Sequence, residues 1–290
     1  MQRISVVIPT YNYASFIGQA IESVLSQTRL PDEIIVVDDG STDETEMVVA
    51  RFGNSVRYIK KANGGVCSAR NTGIESSTGN FIAFFDADDI CHPTRFEKQL
   101  AKFAEDSAIG LVHCGIREID GIGNIIRVNL DGKEGWVAEE MLLLKPVVVG
   151  PGGTIIVRRE AVSAVGAFNE RLEIYEDWEF CYRIANKYKI GFVSEALVDY
   201  RLHGHNSHLN LEKMEKSLEI AFAQAFDAGG ETKRRLRRTS YGNFYKMLAG
   251  SYFQQRNYPK FIKNSLKSLW MNPSNARHYL TSSLRRLLKS

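Results

Sequence analysis

No stretch of this chain approaches the roughly 18 to 20 consecutive apolar residues needed to cross a bilayer. Its richest run, Met141-Leu142-Leu143-Leu144, is cut by Lys145-Pro146. The segment from Met1-Gln2-Arg3 to Pro9 is too brief for a signal-peptide core, so a cytoplasmic protein is expected, soluble or peripheral on the cytosolic membrane face. Cysteines are few and scattered: Cys67, Cys91, Cys114 and Cys181 form no C-x-x-C pair, which argues against a disulfide framework or a thiolate zinc site. Acidic side chains are scarce at one end only. From Glu231 to Ser290, 14 Lys and Arg face one acid, a local net of +13. The whole chain carries +3, so residues 1–230 carry 3 − 13 = −10. An acidic body with a basic tail presents two surfaces to different partners.

What is present suffices for a full core: 290 residues with 44% hydrophobic content, enough for one large domain and a smaller appendage. Three apolar segments, Ile4 to Ile8, Glu33 to Val37 and Phe81 to Phe85, read as strands buried on both faces. A helix-spaced set from Phe16 to Leu25 makes the first connection a β-α-β crossover. Further helices are expected after Ser41-Thr42-Asp43-Glu44 and over Ser68 to Ser76, with a strand at Val56 to Ile59. Beyond residue 110 the pattern becomes mixed, with strands at Gly110 to Cys114, Gly152 to Val157 and Gly191 to Val193 and a helix over Trp178 to Tyr188. From Leu211 it becomes wholly helical, and Tyr241 to Asn275 resembles one tetratricopeptide helical pair. The fold class expected is therefore α/β, a mostly parallel mixed sheet flanked by helices, with an all-helical C-terminal appendage. Ligands of such sheets bind outside the carboxyl ends of the strands.

The third apolar strand runs into Asp86-Ala87-Asp88-Asp89. Crowded carboxylates repel unless a cation neutralises them, and an oxygen-preferring divalent ion, Mg2+ or Mn2+, leaves positions open for phosphate oxygens. The plainer alternative is a solvated turn in which Asp89 caps the next helix. At the other strand ends stand Pro9-Thr10-Tyr11-Asn12 and Asp38-Asp39-Gly40-Ser41. Asp39 can accept a hydrogen bond from the imide N–H of uracil, with Thr10 and Tyr11 walling base and ribose; the same residues also suit a turn leading into a helix cap. Gly64 and Gly65 allow close approach of backbone to a ligand. Arg70 suits either a phosphate or the aspartate turn itself.

Taken in order, Val6 to Asn12, Asp38 to Asp43, Asn63-Gly64-Gly65-Val66-Cys67-Ser68-Ala69-Arg70-Asn71-Thr72-Gly73 and Asp86-Ala87-Asp88 closely resemble the nucleotide-binding half of family-2 glycosyltransferases with the GT-A fold. The resemblance continues through Gly152-Gly153-Thr154, Glu176-Asp177-Trp178 and Tyr200-Arg201-Leu202-His203. It implies a transferase domain over 1–207, divided into a nucleotide-sugar half (1–110) and an acceptor half (111–207); the basic helical appendage over 208–290 lies outside the resemblance and inherits nothing from it. It also implies a nucleoside-diphosphate sugar, favoured as a UDP-sugar, bound by Pro9, Thr10, Tyr11, Asn12, Asp39, Gly65, Arg70, Asp86, Ala87, Asp88 and Arg201. Asp88 and His203 would hold the metal. Asp177 would be the general base, with Glu176 its competitor, while a helix-capping pair remains open for both. The acceptor would be a glycan or a lipid-linked hydroxyl. The basic tail suits an anionic membrane surface or a solvated helix face, and no recognised motif accompanies it to suggest specific nucleic acid. Two alternatives remain: an inactive sugar-nucleotide-binding or assembly module, and a sugar nucleotidyltransferase, which the missing Gly-rich, lysine-bearing loop disfavours.

Overall fold

The structure is a computed structural model that describes residues 2–202, 211–227 and 229–280. It divides into two compact units, Met1–Ala138 with Pro146–Ser207, and Glu139–Lys145 with His208–Ser290.

In the first unit the apolar runs form β1 (Ile4–Thr10), β2 (Glu33–Asp38), β3 (Arg57–Lys60) and β4 (Phe81–Phe84), all parallel, with β1 between β2 and β4. Every residue of β1 and β4 is buried, as expected of strands covered on both faces. The crossovers run through α1 (Ile17–Leu25), α2 (Thr45–Ala50) and α3 (Val66–Ser76). Close helix-to-sheet packing at α3 depends on Gly73, where a Cβ would lie 2.2 Å from a Val7 methyl. The rest of the chain up to Arg201 adds β5 (Ile90–Cys91), α4 (Arg95–Glu105), β6 (Ile109–Ile119), β7 (Ile125–Asn129), α5 (Ala138–Leu142, which belongs to the second unit from Glu139 on), α6 (Pro151–Thr154), β8 (Ile156–Arg158), α7 (Arg159–Val165), α8 (Glu176–Ala185) and β9 (Lys189–Arg201). Strand order is β3-β2-β1-β4-β8-β6-β9-β5, with β7 paired to β6 alone. The β8 pairings are antiparallel and β6 runs parallel to β9. All four cysteines are free and buried.

Two local expectations are corrected. Gly152-Gly153-Thr154 belongs to the short helix α6, and the strand begins only at Ile156. Asp89 does not cap a helix: α4 begins at Arg95 with Thr94 at its N-cap position, and Asp89 is buried ahead of β5.

The second unit contains α9 (Leu211–Asp227), α10 (Glu231–Gln254) and α11 (Tyr258–Met271). Phe222 of α9 packs against Phe226, Tyr241 and Phe244. Among the described residues, no helix is long and apolar enough to cross a membrane.

Candidate functional site

Three polar turns meet at the carboxyl ends of the parallel strands. At the first, Asn12 adopts a left-handed backbone (φ 58°). Its amide donates to the Ser41 hydroxyl at 2.9 Å, and its side-chain oxygen accepts the Thr42 amide at 2.8 Å, so the β1 and β2 turns are tied together. Thr10 is buried beside them with its hydroxyl unpartnered, Tyr11 is exposed, and Pro9 pairs in register with Val37.

Asp39 follows β2 and is buried. Its carboxylate accepts from Lys61 Nζ at 2.7 Å and from the amides of Gly64 and Gly65, the latter at 2.7 Å. Gly65 has φ +86°, a conformation costly for any residue with a Cβ. The loop before α3 is thereby folded around the carboxylate that the sequence assigns to a nucleobase.

The aspartate turn after β4 is held from two sides. Arg70, buried on α3, donates to Asp86 at 3.1 Å and to Glu176 at 2.8 Å, with its guanidinium over the Phe168 ring. Of the two roles open to Arg70, the structure shows it holding the aspartate turn. Burial works against its charge, but Asp86, Glu176 and Asp177 outweigh that and hold the guanidinium protonated. Gly152 and Gly153 press directly on this turn: a Cβ at Gly152 would lie 2.8 Å from Asp86 Oδ2, and one at Gly153 2.9 Å from Asp89 Oδ2. Room for a side chain is absent at both.

Arg201, at the end of β9, grips the other side. Its amide donates to Asp89 Oδ1 at 3.0 Å and its Nε to the Asp88 carbonyl at 2.9 Å. Its remaining nitrogens reach the Gly121 carbonyl and Gln19 Oε1. The side chain expected to meet diphosphate is buried and engaged in positioning the aspartate turn. Tyr13, not singled out in the sequence, hydrogen-bonds Asp88 through its hydroxyl, whose pKa is pushed upward by burial and then by Asp88, Asp86 and Asp89. Beneath the turn Arg95 is fully buried between the Phe85 and Phe96 rings, adding a positive charge below the carboxylates. Lys61, Tyr13 and Arg95 carried no motif signal; only the fold brings them to the aspartates.

On α8, Glu176 and Asp177 occupy the first turn, after Tyr175 in a left-handed conformation (φ 64°). Neither sits at the N-cap position, which is Tyr175, but Asp177 Oδ1 accepts the Trp178 amide of the first turn at 2.6 Å. A non-glycine residue held there is strained, which keeps the start of α8 in a defined place. Burial, then the neighbouring Glu176 charge, pushes the Asp177 carboxyl up to about 7. Trp178 stacks on Tyr182 with ring centroids 5.5 Å apart. Arg70 thus links Asp86 of the aspartate turn to the acidic start of α8.

His203 lies outside the described residues. Among the described residues, no group of three or more His, Cys, Asp or Glu side chains surrounds one ion position. A magnesium-like ion in phosphate chemistry needs only one or two carboxylates from protein. The turn fits that small donor set: Asp86 and Asp88 are half-buried, and Asp89 is pushed well up by burial and then by their charges, an imbalance a cation would relieve.

Residues 5–166, more than half of the chain, match the family model described as Glycosyl transferase family 2. The chain belongs to glycosyl transferase family 2. Within this family it is 33% identical over 205 residues to an uncharacterized glycosyltransferase of Rickettsia prowazekii, covering 69% of this chain and 64% of that one. Overall the chain spans between 21% and 67% of the lengths of the curated relatives it matches. Solved structures share the GT-A fold. Staphylococcus aureus TarS 1–349 in complex with UDP-GlcNAc superposes with a TM-score of 0.68 at 18% identity, covering 93% of this chain and 81% of that chain. A mannosyltransferase from Pyrobaculum calidifontis in complex with GDP-Man and Mn2+ superposes with a TM-score of 0.61 at 19% identity, covering 97% and 80%.

Proposed function

We propose that this chain is an inverting glycosyltransferase that moves a sugar from a nucleoside-diphosphate donor, favoured as a UDP-sugar, to a hydroxyl of a glycan or lipid-linked acceptor. The observation that carries the reading is the Arg70 bridge, which ties Asp86 of the aspartate turn to Glu176, the neighbour of an Asp177 carboxyl that burial pushes up to about 7. A general base works best with a pKa near the working pH, where it typically supplies roughly 10² to 10⁴ in rate.

In this reading the base and ribose of the donor rest on Thr10, Tyr11 and Asp39, and the unpartnered Thr10 hydroxyl is available to a ribose or base oxygen. Asp88, oriented by Tyr13 and by the Arg201 grip on its backbone, would hold the divalent ion together with His203. When bound, such an ion supplies Lewis-acid neutralisation of the departing diphosphate. Asp177 takes the proton of the acceptor hydroxyl as its oxygen attacks the anomeric carbon. The bond from that carbon to the diphosphate oxygen breaks in the same displacement, with its electron pair leaving on the nucleoside diphosphate. No covalent sugar–enzyme intermediate forms, and configuration inverts. TarS with UDP-GlcNAc and the mannosyltransferase with GDP-Man and Mn2+ support a sugar-nucleotide donor and a divalent ion as their own ligands.

An apolar hairpin favours an acceptor with a lipid portion. Ile122, Ile125, Ile126 and Val128 are exposed around β7, and the adjoining turn is fastened through Gly121 to Arg201 and so to the aspartate turn. Thermal shift against a panel of sugar nucleotides with Mn2+ identifies the donor, and turnover of that donor tests the reading. Wild type is expected to show Mn2+-stimulated turnover that Asp88→Ala abolishes. Metal-independent turnover, or full activity of the variant, would overturn it.

A further inference from the structure

Helix α11 packs with its polarity reversed. Its most buried positions are small and polar: Asn264 and Ser268 are 2% and 0% exposed, with the larger Phe261 half-buried against Phe253 of α10. The Ser268 hydroxyl donates to the Gly242 carbonyl of α10 at 2.8 Å, and the Asn275 amide donates to the same carbonyl at 3.0 Å. The C-terminal end of α11 lies so close to α10 that a Cβ on Gly242 would lie 2.4 Å from the Cβ of Asn272, the residue just past the helix. The outer face is apolar: Tyr258, Ile262, Leu266 and Trp270 recur every four residues and are 51%, 56%, 64% and 70% exposed. Hydrophobic side chains scattered singly on a surface need no explanation, but a continuous stripe along a helix marks a surface made to be covered.

The charge around the stripe selects what covers it. Arg256, Lys263 and Arg277 are exposed along or just beyond α11. Lys267 sits with its ammonium 4.6 Å from the centre of the Tyr245 ring, and Arg238 lies over the Trp270 ring. Between Thr232 and Ser290 there is no Asp or Glu. Trp, Leu and Ile on one face with Lys and Arg beside them is the composition of a helix that lies in the plane of a membrane interface. Anionic headgroups supply the complement to the positive charge. Another copy of the same acid-free segment would bring like charges together.

We propose that the outer face of α11 is a docking surface for an anionic bilayer, with Ile262, Leu266 and Trp270 entering the headgroup region and the neighbouring lysines and arginines meeting lipid phosphates. The surface lies within the second unit and is independent of the transfer reading. Its test reads partition rather than turnover.

The full chain is mixed with phosphatidylglycerol-containing vesicles and, separately, with pure phosphatidylcholine vesicles, and bound protein is measured by sedimentation. Binding is expected to the anionic vesicles only and to weaken with salt. Lys263→Ala is expected to weaken it by about fivefold, and Leu266→Glu by roughly tenfold or more. Wild-type tryptophan emission is expected to shift to the blue on binding. Trp270→Phe is expected to lose that shift while keeping affinity within about threefold. All three side chains are exposed, so circular dichroism should be unchanged in each variant. Equal binding to the two vesicle types, or unaltered affinity of Leu266→Glu, would overturn the proposal. So would a solution dimer that Leu266→Glu dissolves, since the stripe would then belong to a second copy.

Discussion

The strands of the first unit and helix α11 of the second solve burial in opposite ways. In the first, strands bury Val, Ile and Phe, and its buried charges Asp39, Arg70, Asp89 and Arg201 gather at the carboxyl ends of the strands. In the second, α11 buries Asn264 and Ser268 while Ile262, Leu266 and Trp270 face outward. Buried charge therefore gathers around the aspartate turn in one unit, and buried polar groups line a helix seam in the other. An unpaired buried charge costs several kcal/mol, so a structure keeps such a cluster only where it is compensated or used. A serine–carbonyl seam costs little and permits close approach.

The largest expected effect comes from cutting the bridge in the first unit. Arg70→Met leaves Asp86 and Glu176 facing each other without their cation, and a loss of about 3 to 5 kcal/mol is expected in denaturant unfolding. If stability hardly changes, the carboxylates are not held by Arg70.

A second experiment uses pH. His113 of β6 is fully buried and stacked on Phe192; its Nδ1 accepts the Val149 amide and its Nε2 faces the Lys133 carbonyl. Burial pushes its pKa down from 6.5 to about 4. The unfolded chain takes up the proton first, so this contribution is complete above 6.5 and is lost as pH falls towards 4. The loss is about 3 kcal/mol, at roughly 1.4 kcal/mol per tenfold in proton affinity. His113→Gln should remove that part of the pH dependence; an unchanged slope would contradict the assignment.

In the second unit, two glycines of one helix separate seam from surface. Gly242→Ala is expected to cost about 1 to 3 kcal/mol by pushing Asn272 away. Gly250→Ala meets nothing within 4 Å and should stabilise by about 0.5 to 1 kcal/mol. Smallest of all is Leu266→Ser, which should change the Tm by little, within about 0.5 kcal/mol. A large loss there would mean that Leu266 is core and the contrast between the units is wrong.

The sequence carried much of the parallel half, because β1, β2 and β4 are unbroken apolar runs and each ends in a turn whose residues are themselves informative. It carried less where the signal is local packing. Gly152-Gly153 reads as strand in one dimension, yet these glycines form a helical turn pressed on Asp86 and Asp89. Strand β9 runs to Arg201, well past Val193, through a register shift around Gly115 of β6 and across exposed Ser194 and Glu195 that break the apolar pattern. Arg201 sits in the expected motif, but the partners that engage it, Gln19, Gly121 and the aspartate turn, are distant in sequence and met only by folding. The basic charge of the tail was legible from composition. The reversal of α11 was not, because periodicity reveals an apolar face without saying whether it points inward.

If Asp177 acts as base beside the aspartate turn, the pH dependence of transfer reports it most directly. With the donor identified, kcat/KM for wild type is expected to rise with pH through about 7 and then level, as the Asp177 carboxyl loses its proton. Asp177→Asn should lose about a hundredfold or more in kcat while binding donor as wild type does. A flat profile across that range, or an Asp177→Asn enzyme within a few-fold of wild type, would contradict the account.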